Sequence, residues 1–356
     1  MNRRWICSDV WMDILPSFDH AELGLKMALL CDRFDVLVDA HFDGKTELII
    51  WRRIIIRKDI EPTPKLSVLV DGNFVDFQLP DHPLPNRIRF KELQISYIDY
   101  SVITFLHANK QIWDRIGTKL TLGVWSYENE DVQPIWDFFA REIWPIFATN
   151  IRHLSFPYVE YLNNLRCRTS PAILTDCNQL NSIDSYGLCP DEIADDGPNA
   201  TARQALSKWL HTPSKNGHPK RLFFENYGAE GNLDWVNSFK ETFLRATASS
   251  VSYKIYFEVF LSPIGPFELV NEQTKEKLTL MKVGEDEEDE SHSVWMLKRC
   301  PIIVGETAAA VQWENDKNSD DNLNNVKIFL WDIAINFIGP LSPPADEKRK
   351  SGSKQR

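Results

Sequence analysis

The chain has eight histidines and six cysteines, the side chains that most often bind zinc or act as nucleophiles. No Cys-x-x-Cys pair occurs, and no two histidines stand four residues apart with a glutamate between them, so the spacing predicts no metal site. His211 and His218 flank a loop rich in proline, glycine and lysine, which favours a polar turn over a metal-binding pair. Cys31 lies in an apolar helical stretch and is predicted to be a small core residue; we expect buried, reduced thiols.

Phosphate-binding and hydrolase motifs are also missing from the sequence. Asp43-Gly-Lys-Thr46 matches the end of a phosphate-binding loop, but Asp39 stands where that loop needs its first glycine. No Gly-x-Gly-x-x-Gly or Gly-x-Ser-x-Gly motif occurs. The sequence therefore predicts no enzyme activity, no cofactor and no metal.

Composition describes an ordinary soluble globular protein of 356 residues, with 43% hydrophobic and 26% charged residues. The formal charge of −11 argues against a nucleic-acid partner. The basic N-terminus leads into acidic residues instead of an apolar signal core, and the longest apolar stretch, residues 326–338, is interrupted by polar side chains. We expect a protein of the cytoplasm, the nucleus or both, with no membrane partner.

Residues 6–42 are rich in helix-forming apolar side chains and predict three short helices. One helical face is formed by side chains at i, i+4, i+7 and i+8: Leu30, Phe34, Leu37 and Val38. Asp19 and Glu22 have the spacing of a capping box and predict a helix start. So small a bundle buries little apolar area, and it therefore needs a neighbour to be stable.

A run of β-branched residues at 47–57 predicts a strand, and several prolines then predict a loop-rich linker to residue 87. From residue 88 a unit of one strand and one helix recurs about every 30 residues. Strands are predicted to start at residues 88, 119, 151, 180, 220 and 250, with helices at 100–116, 132–147, 201–211 and 233–247. The period predicts parallel strands in an irregular leucine-rich-repeat-like array, and a doubly wound parallel sheet would give the same alternation.

The C-terminal part changes to short strands at 267–271, 276–282 and 294–299, which predict a small antiparallel β meander. The acidic run at 285–290 is expected to be a solvated loop. The predicted organisation is an α/β protein with five segments. They are a helical unit (1–45), a strand with a Pro-rich linker (46–87), an α/β repeat-like domain (88–256), an antiparallel β region (257–303) and an irregular, partly disordered tail (304–356).

The N-terminal segment resembles an F-box. The matching features are Val-x-x-x-Ile-Leu at residues 10–15, Glu-Leu-Gly at 22–24 and Leu-Leu-Cys-Asp-Arg-Phe-x-x-Leu-Val at 29–38. The rest of the chain resembles the C-terminal region of an expanded set of nematode F-box proteins, and the resemblance covers residues 6–302. The matching phrases lie at 105–106, 143–145, 151–154, 170–177, 208–213, 266–271 and 298–302.

This resemblance implies a substrate-recognition subunit of a Skp-cullin-F-box ubiquitin ligase. The three N-terminal helices would form the F-box and bind a Skp-type adaptor, which in turn binds a cullin. The C-terminal domain would bind a protein substrate. By motif position, the adaptor-facing surface is formed or supported by Val10, Ile14, Leu15, Leu23, Leu29, Phe34 and Leu37. The usual Leu-Pro at the F-box start is replaced by Ile6-Cys7.

Two other interpretations remain open from the residues alone. The N-terminal helices could instead cover the end of the α/β array as a structural cap, within a non-ligase interaction scaffold. A hydrolase site without a recognisable motif could also lie at the carboxyl ends of the strands, where open α/β sheets often bind ligands.

Overall fold

A computed structural model of the chain shows a mixed α/β protein, as the sequence predicts. The structure describes residues 7–43, 49–57, 63–70, 72–80, 83–84, 88–110, 112, 118–123, 133–214, 218–225, 234–247, 251–260, 265–285, 292–302 and 324–329. Ile6 and most of the tail after residue 302 lie outside these ranges.

Residues 7–43 form three helices, here called the N-terminal helices: α1 (Ser8–Ile14), α2 (His20–Glu22) and α3 (Asp32–Asp43). Helix α2 continues as a π turn (Leu23–Met27) and a 3-10 turn (Ala28–Leu30). The Asp19 carboxylate accepts the backbone N–H of Glu22 at 2.9 Å. The helix start predicted at Asp19 is therefore confirmed.

The single helical face predicted from Leu30 to Val38 is wrong. Cys31 has an extended backbone (φ −175°, ψ 163°), so α3 begins only after it and the 3.6-residue period is broken there. As a result Leu37 and Val38 are buried, whereas Leu30 is exposed. Cys31 is exposed too, and the prediction of a small core residue there is wrong.

The expectation of buried thiols fails at two further positions. All six cysteines are free, and Cys7 and Cys167 are exposed together with Cys31. Cys177 is buried, and burial raises the pKa of its thiol to about 12. Local apolar sequence around a cysteine therefore does not decide its burial, because the side of the element that faces the core is set by the whole fold.

The repeat-like region contains the predicted strands. Together with β1 (Ile49–Arg57), they are β4 (Ile88–Ile95), β5 (Thr118–Gly123), β6 (Ile151–Phe156), β7 (Ser182–Tyr186), β8 (Lys220–Glu225) and β9 (Tyr253–Phe260). Strands β5 to β9 pair in sequence order, each parallel to the next. The prediction of parallel strands is confirmed there.

Helices connect these strands at or near the four predicted positions, and two further helices, Val159–Arg168 and Ile173–Asp176, lie where none is predicted. They are α4 (Tyr100–Ala108), α5 (Gln133–Phe138), α6 (Trp144–Phe147), α7 (Val159–Arg168), α8 (Ile173–Asp176), α9 (Ala202–Leu210) and α10 (Asp234–Arg245). A π turn (Phe139–Ile143) joins α5 to α6. Helix α9 starts with a complete capping box formed by Thr201 and Gln204, which satisfies backbone donors at its first turn.

The segment predicted as a linker contains a β hairpin, so that prediction is wrong. Strands β2 (Lys65–Val70) and β3 (Asn73–Gln78) pair antiparallel, and β2 also pairs with β1. The two-residue turn between them includes Gly72 at φ +85°, a conformation that favours glycine. The prolines lie outside both strands, where they do not interrupt the hydrogen-bond ladder.

The tail predicted as irregular supplies a strand in the interior of the sheet. Strand β13 (Asn324–Phe329) lies between β4 and β5 and pairs with both in parallel. The prediction of an irregular segment is wrong for these six residues. Strands β4 and β5 are therefore separated by β13 in the sheet. Local sequence could not show this insertion, because β13 is placed by pairing with distant strands.

The predicted meander is present as β10 (Phe267–Asn271), β11 (Glu276–Glu285) and β12 (His292–Pro301). It extends the main sheet, because β12 pairs antiparallel with β9. The described strands follow the spatial order β10-β11-β12-β9-β8-β7-β6-β5-β13-β4-β1-β2-β3.

One side of this sheet is covered by helices. Trp235 and Phe239 of α10 make edge-on ring contacts with Phe257 and Tyr253 of β9, at centroid distances of 5.2 and 5.7 Å. Every second residue on the strands points to the side opposite the helices. Along β8 and β9 the residues on this second side are half-exposed, whereas those that face the helices are buried. We call this second side, which carries Glu92, Asp184, Arg221, Tyr256 and Lys298, the open face.

Candidate protein-interaction surfaces

Three of the seven side chains predicted to serve the adaptor surface are part of the core. Leu15 and Leu23 are fully buried, and Leu37 is buried apart from 8% of its surface. All three belong to the same hydrophobic cluster as the strands of the sheet. They therefore support the N-terminal helices from inside and do not themselves form a contact surface.

The other four predicted positions are nearer to solvent or outside the described side chains. Phe34 is half-buried and its ring packs edge-on against Trp11 at 4.8 Å, which joins α3 to α1. Ile14 is half-buried as well, and Val10 is 47% exposed. The side chain of Leu29 lies outside the described residues.

Large apolar side chains of the N-terminal helices are nevertheless exposed to solvent. Leu30 is 64% exposed and Val36 is 67% exposed, in addition to Val10. Neither Leu30 nor Val36 is among the seven residues that the F-box resemblance predicts for the adaptor surface. A signal for Val36 was available, since it shares a helical face with Asp32 and Asp39 at i−4 and i+3, which is the solvent side of α3.

The opposite side of the N-terminal helices packs on the hairpin at the end of the sheet. The ammonium of Lys26 lies 5.3 Å from the ring centroid of Phe77, a buried residue of β3. The same ammonium pairs with Glu22 at 3.2 Å. Phe77 is on the helix-covered side of the sheet, so the N-terminal helices cover the hairpin on the same side as α10 covers β9.

The open face carries charged side chains that pair across strands near the hairpin. Asp76 on β3 contacts Arg57 of β1 at 3.2 Å and accepts the Ser67 hydroxyl at 2.6 Å. The hydrogen bond from Ser67, aided by Arg57, holds the pKa of Asp76 below its ordinary value. Glu92 on β4 pairs with Arg53 at 3.2 Å and with Lys327 of β13 at 3.1 Å.

At the centre of the open face, the Nε2 atom of His153 on β6 lies 2.8 Å from a carboxylate oxygen of Asp184 on β7. His153 is buried, while Asp184 is half-exposed. Within the described residues, no three His, Cys, Asp or Glu side chains lie close enough together to hold a metal ion. The His153–Asp184 contact joins β6 to β7.

Toward the meander, the open face becomes mixed basic and apolar. We call the half-exposed side chains of β8, β9 and β12 there the open-face patch: Arg221, Phe223, Lys254, Tyr256, Met296 and Lys298. The guanidinium of Arg221 lies 5.7 Å from the ring centroid of Tyr256. Burial raises the pKa of the Tyr256 phenol and the nearby Arg221 opposes this effect. This patch has no local signal in the sequence, because it forms only when strands far apart in the chain pair.

The exposed apolar surface of the molecule continues beyond the patch onto the meander. Met281 and Val283 of β11 and Val270 of β10 are exposed. Met281 lies directly beside Met296 in the strand register. Among the described helices, none is long and apolar enough to cross a membrane.

Comparison of the chain with protein-family models, curated proteins and solved structures gives no match. The resemblance in the N-terminal helices therefore gains no support from relatives. The molecule offers two candidate surfaces: the exposed side of the N-terminal helices and the open face of the sheet.

Proposed function

We propose that the chain is a substrate-recognition subunit of a Skp-cullin-F-box ubiquitin ligase. Its N-terminal helices would bind a Skp-type adaptor as an F-box does, and its sheet would bind a protein substrate. The observation that carries this proposal is the exposure of Val10, Leu30 and Val36 on a helical unit whose other side is anchored in the core. Exposed apolar side chains on a helical surface are the usual contacts of helix-binding partners.

In this role the chain performs no transfer chemistry. It would hold a substrate near the ligase through the adaptor and the cullin, and thereby raise the effective concentration of a substrate lysine. Such a ligase would act in the cytoplasm, the nucleus or both.

We further propose that the sheet and its helices form an irregular leucine-rich-repeat-like array. Strands β5 to β9 follow one another in space in the order of the sequence. A doubly wound sheet reverses direction at a switch point and carries helices on both sides. Consecutive crossovers that advance in one direction place their helices on one side, which leaves the open face for binding.

A structural cap is the second candidate role for the N-terminal helices. It is favoured by the contact of Lys26 with Phe77 and by the full burial of Leu23. Because these helices cover the hairpin, deletion of residues 1–45 would damage the fold whether or not they also bind an adaptor. Only substitutions on their exposed side separate the two roles.

The test is co-purification of the full-length chain with a Skp-type adaptor. The triple variant Val10→Asp, Leu30→Asp, Val36→Asp is expected to lose adaptor capture, because it places three carboxylates in an apolar contact. These side chains are already exposed, so we expect a change in unfolding free energy within about 0.5 kcal/mol per site.

The matched control changes three exposed aliphatic side chains at the far end of the sheet: Val270→Asp, Val283→Asp and Ile302→Asp. This variant is expected to capture the adaptor at the wild-type level. Equal capture by the wild type and by the triple variant of the N-terminal helices would contradict the proposal. No capture by the folded wild type would leave the cap as the role of these helices.

A further inference from the structure

The loop that follows β7 is long and has no helix or strand of its own. It covers residues 187–200, from the end of β7 to the residue before the N-cap of α9, and we call it the braced loop. Long loops of this kind in a folded domain usually carry function. Gly187 donates its backbone N–H to the carbonyl of Glu225, the last residue of β8, at 2.7 Å. The loop therefore starts at the carboxyl ends of two parallel strands, where α/β sheets commonly bind ligands.

A buried arginine of α7 holds the far end of the braced loop. Arg166 is 5% exposed, and its guanidinium donates to the carbonyls of Gly197 and Ala200. Burial lowers the pKa of Arg166, and Asp195 and Asp196 of the loop are among the groups that oppose this effect. These two aspartates therefore have a counter-charge within the fold.

Two serines fix the middle of the braced loop against the neighbouring helices. The hydroxyl of Ser207 on α9 donates to the carbonyl of Asp191 at 2.7 Å and accepts its backbone N–H at 2.8 Å. The hydroxyl of Ser238 on α10 donates to the carbonyl of Glu192 at 3.3 Å. The backbone of both acidic residues is thus held in place before a partner arrives, which lowers the ordering cost of binding.

Beside these two acidic residues, the braced loop and the first turns of α9 and α10 enclose a cleft of about 200 Å³. This volume is smaller than that of a typical pocket for a small molecule or cofactor, and it suits a single long side chain. The apolar part of the wall is formed by a proline and a buried tryptophan, and the rest is charged. The residues that line the cleft are Pro190, Asp191, Glu192, Arg203, Asp234 and Trp235.

Two of the charged residues of the cleft already have partners within the chain. Arg203 donates to the carbonyl of Cys189 at 3.2 Å and also to its thiol sulfur. Asp234 has an interaction of its own in the fold. Charge that can meet a ligand therefore has to come from Asp191 and Glu192.

Asp191 and Glu192 supply negative charge to the cleft. The Asp191 carboxylate accepts the neutral backbone N–H of Ile193 at 3.2 Å, and a carboxylate has room for further donors. Among the described residues, neither Asp191 nor Glu192 forms an ion pair. Two carboxylates without a counter-charge favour a cation, and Ile193 beside them is 62% exposed and offers an apolar contact.

We propose that the cleft beside the braced loop binds a lysine or arginine side chain of a partner protein, and that an apolar neighbour of that residue packs on Ile193. The methylene groups of the bound side chain would lie against Trp235 while its charged end reaches Asp191 and Glu192. The basic residue would belong to the recognition signal in the substrate, so the proposal deepens the proposed function and rests on it.

The experiment measures binding of labelled ten-residue peptides to the full-length chain by fluorescence anisotropy. One peptide is Gly-Ser-Leu-Arg-Leu-Leu-Arg-Leu-Ser-Gly. The other has citrulline in place of both arginines, which keeps the shape of the side chain and removes its charge. The arginine peptide is expected to bind at least about tenfold more tightly, and its affinity should fall as salt is raised.

Charge-removing variants locate the site. Asp191→Asn with Glu192→Gln is expected to weaken binding of the arginine peptide at least about tenfold, because the amides keep the shape and lose the charge. The control is Asp13→Asn with Asp35→Asn, which makes the same change in net charge at exposed positions on the N-terminal helices. This control is expected to bind the peptide with the wild-type affinity.

The apolar contact has a separate test. Ile193→Ser is expected to weaken binding of the arginine peptide without changing its salt dependence, because it removes apolar area and no charge. The side chain of Ile193 is largely exposed, so the substitution leaves the core intact. Wild-type affinity in this variant would contradict the assignment of Ile193 to the surface.

Equal affinity for the two peptides, or equal loss in the cleft and control variants, would overturn the proposal. Binding of free arginine amide as tight as that of the peptide would assign the cleft to a small amine instead. Self-association that disappears in the Asp191→Asn, Glu192→Gln variant would assign it to a second copy of the chain. Peptide binding is measured without an adaptor, so its failure is distinct from a failure of adaptor capture.

Discussion

Lys220 shows how one buried side chain joins a helix to the sheet. It lies on the covered side of β8, where its ammonium donates to the backbone carbonyls of Trp209 and of Thr212, the latter at 2.5 Å. These carbonyls are at the C-terminal end of α9, where a cation is favourable. Burial nevertheless lowers the pKa of Lys220 to about 7.

The stability of the protein is therefore expected to depend on pH through Lys220. Between pH 7 and 10.5 the unfolded chain binds this proton and the folded chain increasingly does not, so the free energy of unfolding rises with pH in this window. The rise is at most about 1.4 kcal/mol per pH unit from this group. The measurement is urea unfolding of the wild type and of Lys220→Met at pH 7.5, 8.5 and 9.5. As the pH rises, the free energy of unfolding of the wild type should increase relative to that of the variant. Parallel pH dependences would contradict the expectation.

Residue types predicted the burial of individual side chains only in part. Leu15, Leu23 and Leu37 are predicted to form or support the adaptor surface, and their burial makes them supporting residues. Motif position alone does not distinguish a contact residue from a supporting one. His211 was expected in a polar turn. Its Nδ1 atom lies 2.8 Å from the Ser207 carbonyl and its ring packs against Phe239 at 4.8 Å, with burial lowering its pKa.

At the scale of elements, short β-branched or apolar runs that recur about every 30 residues predict β4 to β9. The hairpin β2–β3 was missed although its signal was present. Asp71-Gly72 between two apolar runs is a strong hairpin motif, but the surrounding prolines favour a loop. Strand β13 has no equivalent local signal, since its pairing with β5 joins residues about 200 positions apart.

Strand β13 is expected to be essential for the sheet because both its edges are paired. Val326→Pro removes a backbone donor from an interior strand and leaves an acceptor on a neighbouring strand unsatisfied. We expect a loss of about 1–3 kcal/mol in the free energy of unfolding, measured in urea. An unchanged unfolding midpoint would show that β13 does not contribute to the sheet.

The described part of the molecule has one continuous hydrophobic cluster that runs from Leu15 in the N-terminal helices to Leu297 in β12. The first four of the five segments predicted from the sequence contribute residues to this cluster. The proposed surfaces therefore lie on one folded body. Adaptor binding at the helices and substrate binding at the sheet and its loops would use different residues of that body.

Hydrogen–deuterium exchange of the full-length chain, with and without a saturating Skp-type adaptor, tests the central claim most directly. We predict slower exchange within residues 7–43, where the exposed side chains lie, and unchanged exchange in β8 and β9 beneath the open-face patch. Unchanged exchange throughout residues 7–43, or protection confined to the open face, would contradict the assignment of the N-terminal helices as the adaptor-binding surface.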